Sequence, residues 1–223
     1  MGSKRSQPDS RQAGVGHSAR SEQLGLFAPA RGSTADAVAA AGTVVPGLTY
    51  CPAFLSVDEE RKLLDDIRPL PLKHFAFHGY LGNRRTVSYG WKYDFAQEKV
   101  FKADPMPDFL LALRERAAAL AELRDPHALE QVLVIEYTPG AGIGWHKDKG
   151  VFADVVGISL GSACRFRLRR RRFETWQRAS FIAAPRSAYV LRGEARTEWE
   201  HSIPALDTLR YSITFRSLRS KAS

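Results

Sequence analysis

The chain has 223 residues, 44% of them hydrophobic and 26% charged, the composition of a soluble globular protein able to bury one sizeable core. No apolar run approaches the roughly 20 residues of a membrane span and no secretory stretch opens the chain, so a cytoplasmic protein without membrane contact is expected. Cys51 and Cys164 are too few for a disulfide framework or a zinc-thiolate site, whereas the net charge of +9 favours a polyanionic partner, because Lys and Arg gain affinity by displacing counterions from phosphates.

Residues 1–45 are rich in Ser, Gly, Ala, Arg and Gln and follow no helical or strand period, which predicts a disordered tail. Within it, Gln23-Leu24-Gly25-Leu26-Phe27 is a compact apolar cluster of the kind used as a short docking motif. From Pro46 the pattern becomes globular, and a single domain is expected over 46–219. Ser56-Val57-Asp58-Glu59 has the form of a capping box, and Leu63, Leu64 and Ile67 supply one apolar face, so a helix is predicted over 56–68, before Pro69. The segment from Phe75 to Phe95 gathers aromatic and basic residues, among them Arg84, Arg85, Tyr89, Trp91 and Tyr93. A second helix is predicted between Pro107 and Leu123, where Phe109, Leu110, Leu113 and Leu120 recur.

The period then changes to that of strands, with β-rich runs at about 131–137, 155–160, 164–169, 179–183, 188–192 and 209–216. Many short strands after two helices imply a mostly β protein with supporting α-helices, a sandwich or jelly roll. No internal repeat is present.

Trp145-His146-Lys147-Asp148 follows the turn-forming stretch Pro139 to Gly144. In an extended segment residues two apart share a face, so His146 and Asp148 can point at one ion. His201 is the candidate third ligand, on a return strand. Two histidines and a carboxylate with open positions describe non-haem Fe(II) oxygenases. Further on, the alternating strand Arg210-Tyr211-Ser212-Ile213-Thr214-Phe215-Arg216 places Arg210, Ser212, Thr214 and Arg216 on one face. Two inward arginines would be costly unless each met an anion, and a dicarboxylate offers two.

The ordered set Tyr137, Pro139-Gly140, His146-Lys147-Asp148, Ile158-Ser159-Leu160, His201 and Arg210 through Arg216 resembles the AlkB family of Fe(II)/2-oxoglutarate dioxygenases, across roughly 46–219. The resemblance implies a double-stranded β-helix, Fe(II) held by His146, Asp148 and His201, O2 and 2-oxoglutarate as cosubstrates, and Tyr137, Arg210, Ser212 and Arg216 around the 2-oxoglutarate. It implies oxidative demethylation of N-alkylated bases such as 1-methyladenine and 3-methylcytosine in alkylated DNA, with RNA as a further substrate, in damage repair. The 75–95 segment would be a substrate lid, with Trp91 and Tyr93 contacting the base and Arg84 and Arg85 the backbone. Two positions depart from the pattern: Ile135 stands where the family has Asn, and Gly150-Val151 stands where it has an acidic residue that reads the base.

The basic run Arg165 to Arg172, like Arg192 and Arg196, is suited either to phosphates or to a solvated strand face. Gln23, Leu24, Leu26 and Phe27 resemble the peptide with which bacterial repair and replication proteins dock on the sliding clamp; the enzyme itself is expected to be a monomer. Two competing readings remain: the same chemistry on a modified tRNA base or protein side chain, and a non-enzymatic basic β-sandwich that binds nucleic acid.

Overall fold

The computed structural model describes residues 44–77 and 80–219; the docking-motif residues Gln23, Leu24, Leu26 and Phe27 lie outside them. Helix α1 (Val57–Ile67) starts as its sequence dictates. The Ser56 hydroxyl accepts from the Glu59 amide at 3.1 Å and the Glu59 carboxylate accepts from the Ser56 amide at 2.7 Å, the reciprocal capping box. Leu63 and Ile67 face the core, and the buried Glu60 accepts from the Gly161 amide at 2.9 Å and from Arg186 at 3.0 Å. Helix α2 (Leu111–Leu120) follows a 3-10 turn at Asp108–Leu110. No helix among the described residues is long and apolar enough to cross a membrane.

The strands form a jelly roll of two antiparallel sheets. The larger runs in the order β1 (Leu48–Cys51), β11 (Ala188–Leu191), β8 (Phe152–Leu160), β13 (Arg210–Leu218), β6 (Gln131–Tyr137), β3 (Tyr80–Tyr89) and β2 (Lys73–Phe77). The smaller runs β10 (Thr175–Ala183), β9 (Cys164–Arg172), β12 (Glu200–Ile203) and β7 (Ile143–His146); β4 (Trp91–Asp94) and β5 (Lys99–Lys102) make a separate hairpin. A short helix, α3 (Gly193–Thr197), precedes β12.

Strand alternation divides the core in two. On β13, Tyr211, Ile213 and Phe215 join Leu63, Ile67, Leu113 and Ala117 beneath the helices. On β6, Val132 and Val134 do the same, while Ile135 and Tyr137 join Phe166, Leu168, Phe181, Tyr189 and Trp199 in the second cluster. Strand β6 is thus covered on both faces, which explains why its sequence is an almost continuous apolar run. Val45 is already buried in that cluster, one residue ahead of the expected domain start.

The two helices and six expected strands are present, with β8, β9 and β10 longer than their apolar runs. The order differs from expectation, because β1 to β5 precede α2. Those strands were hidden by composition: β3 carries Asn83, Arg84 and Arg85 and is extended because it pairs with β6 from Arg84 opposite Tyr137 to Tyr89 opposite Val132.

That pairing separates the two arginines. Arg85 binds Glu136 through Nε at 2.6 Å and Nη2 at 2.8 Å, and the Tyr211 hydroxyl donates to the same carboxylate at 2.9 Å. The Arg85 hydrogen bonds, with help from Tyr211 and against burial, hold the Glu136 carboxyl below its usual range. This stabilisation is present at neutral pH and is lost as acid protonates Glu136 in the folded state. Arg85→Met leaves a buried carboxylate with one donor and should destabilise the fold by about 1–3 kcal/mol at neutral pH. Urea unfolding of both proteins should show the gap narrowing on acidification; an unchanged gap would remove Glu136 as its source.

Candidate active site

Antiparallel pairing of β12 with β7 sets His201 directly opposite His146, and the two imidazole centroids lie 4.3 Å apart. Asp148, just beyond the end of β7, places Oδ2 3.9 Å from His201 Nε2. His146 Nδ1 lies 2.9 Å from the Gly144 carbonyl. A carbonyl can only accept, so Nδ1 is the donor in this contact and Nε2 is the nitrogen left to face the cluster. The His201 ring stacks on Phe166 at 5.3 Å, and Phe166 is in turn packed by Phe181 and Tyr189.

Burial drives the His201 pKa down to about 3, against the pull of Asp148, so this imidazole is neutral. Burial alone would raise the Asp148 carboxyl; Arg216 first, then His201, Arg196 and His146, overcome it and hold the group far below the usual carboxylate range. Two imidazoles and a carboxylate anion therefore lie together. Their donor types are those of non-haem iron sites, although the described residues form no group of three drawn close enough to hold an ion as they stand.

The polar face of β13 looks at this cluster. Arg216 donates from Nε to Asp148 Oδ1 at 3.1 Å and from Nη1 to Gln131 at 3.0 Å. Arg210 is fully buried; Nε donates to Ser159 Oγ at 3.1 Å and the guanidinium lies 4.9 Å from the Tyr137 ring. Among the described residues its two terminal nitrogens, Nη1 and Nη2, have no partner within hydrogen-bond geometry, Tyr137 being the polar side chain beside them. A buried cation with both ends of its fork unmatched is the complement of an anion of carboxylate size. Ser212 is buried on the same face, opposite Ile135 in register. The family's Asn position is thus filled by an apolar side chain.

Around the mouth, Arg84 lies 4.1 Å over the Phe75 ring, and Lys149 lies 5.2 and 5.5 Å from the rings of Tyr93 and Phe95. Burial lowers the Arg84 pKa, with Tyr137 opposing and Arg216 adding to the fall, which places Arg84 within the field of the site. Trp91 stands on the β4–β5 hairpin with Lys102 4.8 Å over its ring. Arg85 does not belong to this group, because adjacent residues on a strand face opposite ways and Glu136 holds it on the helix side. A side chain at Gly150 would stand in open space.

Two further arginines are explained by local contacts. Arg192 faces Asp154 at 3.5 Å and Glu122 at 3.7 Å. Arg196 is buried and donates to the carbonyls of Lys149 at 2.6 Å and Phe152 at 2.7 Å, pinning the loop that carries Asp148. Arg196 is therefore not available to phosphates. Nothing in its local sequence marks Arg196 for this role, nor Gln131, Phe166 and Tyr189 for theirs. Gln131 had a usable signal, since it is the β6 residue opposite Arg216 once β6 and β13 are paired.

Gly157 lies opposite Tyr189, and a methyl group there would overlap the tyrosine ring. Gly157→Ala should therefore displace Tyr189 and the Phe166 stack behind His201, at a cost of about 1–3 kcal/mol. Thermal unfolding checks this; an unchanged Tm would show that Tyr189 can move freely.

With the geometry in place, similarity to known proteins can be read. The 2OG-Fe(II) oxygenase superfamily matches residues 47–216. An Arabidopsis thaliana protein named "Alkylated DNA repair protein ALKBH8 homolog" is 28% identical over 200 residues, which cover 78% of this chain and 56% of that one. A Mus musculus protein, "tRNA (carboxymethyluridine(34)-5-O)-methyltransferase ALKBH8", is 29% identical over 77% of this chain and 26% of its own. The Danio rerio "Probable RNA/DNA demethylase ALKBH6" is 33% identical over 52% of this chain and 47% of its own. The chain thus spans about half, or less, of the length of these relatives. The solved structure of OsALKBH1 shares the fold at a TM-score of 0.58 and 17% identity, over 78% of this chain and 98% of that one. The chain belongs to the 2OG-Fe(II) oxygenase superfamily, which uses Fe(II) with 2-oxoglutarate and O2 as cosubstrates, and the relatives it resembles are AlkB homologues.

Proposed function

We propose that the enzyme oxidatively removes alkyl groups from nucleobases, such as 1-methyladenine and 3-methylcytosine in DNA or RNA, with Fe(II) on His146, Asp148 and His201. The observation that carries the site is Arg210, whose buried guanidinium fork is unmatched among the described residues and lies on the same strand face as Arg216, the partner of Asp148. The donor set fits the metal, because His201 is neutral, Asp148 is ionised and His146 engages a carbonyl through Nδ1, which leaves Nε2 for a metal.

When bound, iron and 2-oxoglutarate activate O2 to hydroxylate the N-alkyl carbon, and the product then loses an aldehyde. The protein supplies placement. Arg216, which touches Asp148, suits the diacid end nearest the metal, and Arg210, with Tyr137 and Ser159 around it, suits the other carboxylate. Ser212 lies between them on the same strand face. Arg216 also orients Asp148, taking one oxygen and leaving the other toward the imidazoles. Phe166 fixes the plane of His201. Arg84 stacked on Phe75, with Tyr93, Phe95 and Lys149, makes an aromatic and cationic lip for a base and its phosphates.

One observation favours a second reading, a modified tRNA base. Neither Arg84 nor Lys149 meets a carboxylate among the described residues, and Gly150 offers none, so the lip supplies no anion to offset the charge of a base made cationic by methylation. It suits a neutral or acidic base, and one relative's name refers to carboxymethyluridine.

Turnover of 2-oxoglutarate should be measured with methylated DNA and RNA oligonucleotides and with tRNA. Formaldehyde release from the methylated oligonucleotides supports demethylation, and turnover on tRNA alone supports the second reading. His201→Ala should abolish turnover. Arg210→Met should fold, yet bind 2-oxoglutarate about 30-fold more weakly or worse, read from the lost rise in Tm with added 2-oxoglutarate. Wild-type protein that consumes no 2-oxoglutarate with any of these substrates would sink the proposal.

A further inference from the structure

The inner face of the four-stranded sheet is absorbed by the site, and its outer face has a separate character. On β9, Cys164, Phe166 and Leu168 point inward, so Arg165, Arg167, Arg169 and Arg171 point outward. Strand register adds Arg178 opposite Arg169 and Trp176 opposite Arg171, and Trp145 of the edge strand β7 completes the surface.

The aromatic and cationic groups are interleaved. The guanidinium of Arg167 lies 5.0 Å from the Trp145 ring, and that of Arg169 lies 4.4 Å from Trp145 and 4.3 Å from Trp176. The indole rings pack against the guanidinium groups, which cation–π attraction favours. Glu200 takes Nε of Arg169 at 2.6 Å, and Arg171 reaches Glu174 at 3.5 Å. Arg165, Arg167 and Arg178 meet no carboxylate among the described residues, although Arg167 donates from Nε to Ser202 Oγ at 3.0 Å.

We propose that this outer face is an accessory docking surface for the sugar–phosphate backbone of the nucleic acid whose base enters the metal site; it rests on the nucleic-acid reading given above. Arginines two residues apart on a strand are about 7 Å apart, of the order of the separation of neighbouring phosphates in an extended strand. The planar fork binds phosphate bidentately once its faces are covered. Trp145 and His146 are consecutive on the edge strand, one facing outward and the other inward, so a chain lying on this face reaches the site across that edge. Ile182 is the one large apolar side chain exposed on these strands other than Phe173 in the turn, too little for insertion into a membrane.

The test uses the full chain carrying Arg165→Glu and Arg178→Glu, both exposed and outside the site, with Arg165→Gln and Arg178→Gln as the milder pair. Binding of a labelled, unmodified single-stranded oligonucleotide is followed by anisotropy over a range of salt. Kd should rise about tenfold or more in the Glu pair, and the log–log salt slope should fall by about 0.7 for each lost phosphate contact. Turnover of 2-oxoglutarate with a free methylated nucleoside should stay at the wild-type rate. Unchanged Kd and slope in both pairs, with methylated oligonucleotides still turned over by wild type, would overturn this surface alone. Wild-type protein that consumes 2-oxoglutarate but binds no oligonucleotide would overturn it together with the nucleic-acid reading. Equal affinity of wild type for polyglutamate or phosphatidylserine vesicles would overturn it in favour of those partners.

Discussion

The ion pair between Asp148 and Arg216 joins the two sheets through a polar seam in the interior. Both side chains are nearly sealed from solvent, and neither charge would be tolerable alone there. Each is therefore bonded again: Arg216 to Gln131, Asp148 toward His201, and the backbone behind Asp148 to Arg196. Removing any member leaves a buried charge short of a partner, which is why the polar residues of this seam act as a unit and not as separate substitutable positions.

Arg210 stands at the other end of the same strand face without that compensation. Its Nη1 and Nη2 atoms are buried and unmatched while Tyr137, Tyr189 and Cys164 wall it in. A fold tolerates such a group only because the apolar clusters on either side of the larger sheet offset its desolvation. If Arg210 holds the cosubstrate as proposed, the same group becomes useful, since a carboxylate that completes both ends of the fork gains from interactions the pocket cannot make for itself. Stability and cosubstrate affinity would then be opposed at this residue.

Much of this chemistry was legible in the sequence because it obeys short-range periodicity. The capping box fixed the start of α1, the His-x-Asp spacing put two ligands on one face, and strict alternation on β13 separated Arg210 and Arg216 from Tyr211 and Phe215. What could not be read depended on partners far along the chain. Without knowing that β3 pairs with β6, Arg84 and Arg85 look alike, though one faces the site and the other Glu136. Arg196 resembled a phosphate-binding cation because its carbonyl partners leave no trace in composition. Strand β7 begins at Ile143, within a stretch whose glycines signalled only a turn, and it is strand because β12 brings His201 against it.

The difference between what could and could not be read has a physical origin. Groups that carry the chemistry lie on β7, β12 and β13, where burial allows few residue types and enforces a strand period. The lip lies on β2 to β5 and on the loop after Asp148, where the side chains are half-exposed and position 150 opens onto empty space. A change of charge there would cost the fold almost nothing, while it would decide between a cationic, a neutral and an acidic base. On the proposed function, substrate choice falls to residues the fold does not constrain. Arg84 and Lys149, which meet no carboxylate among the described residues, and the open position at Gly150 would then distinguish one base from another, whereas the buried site would serve any of them.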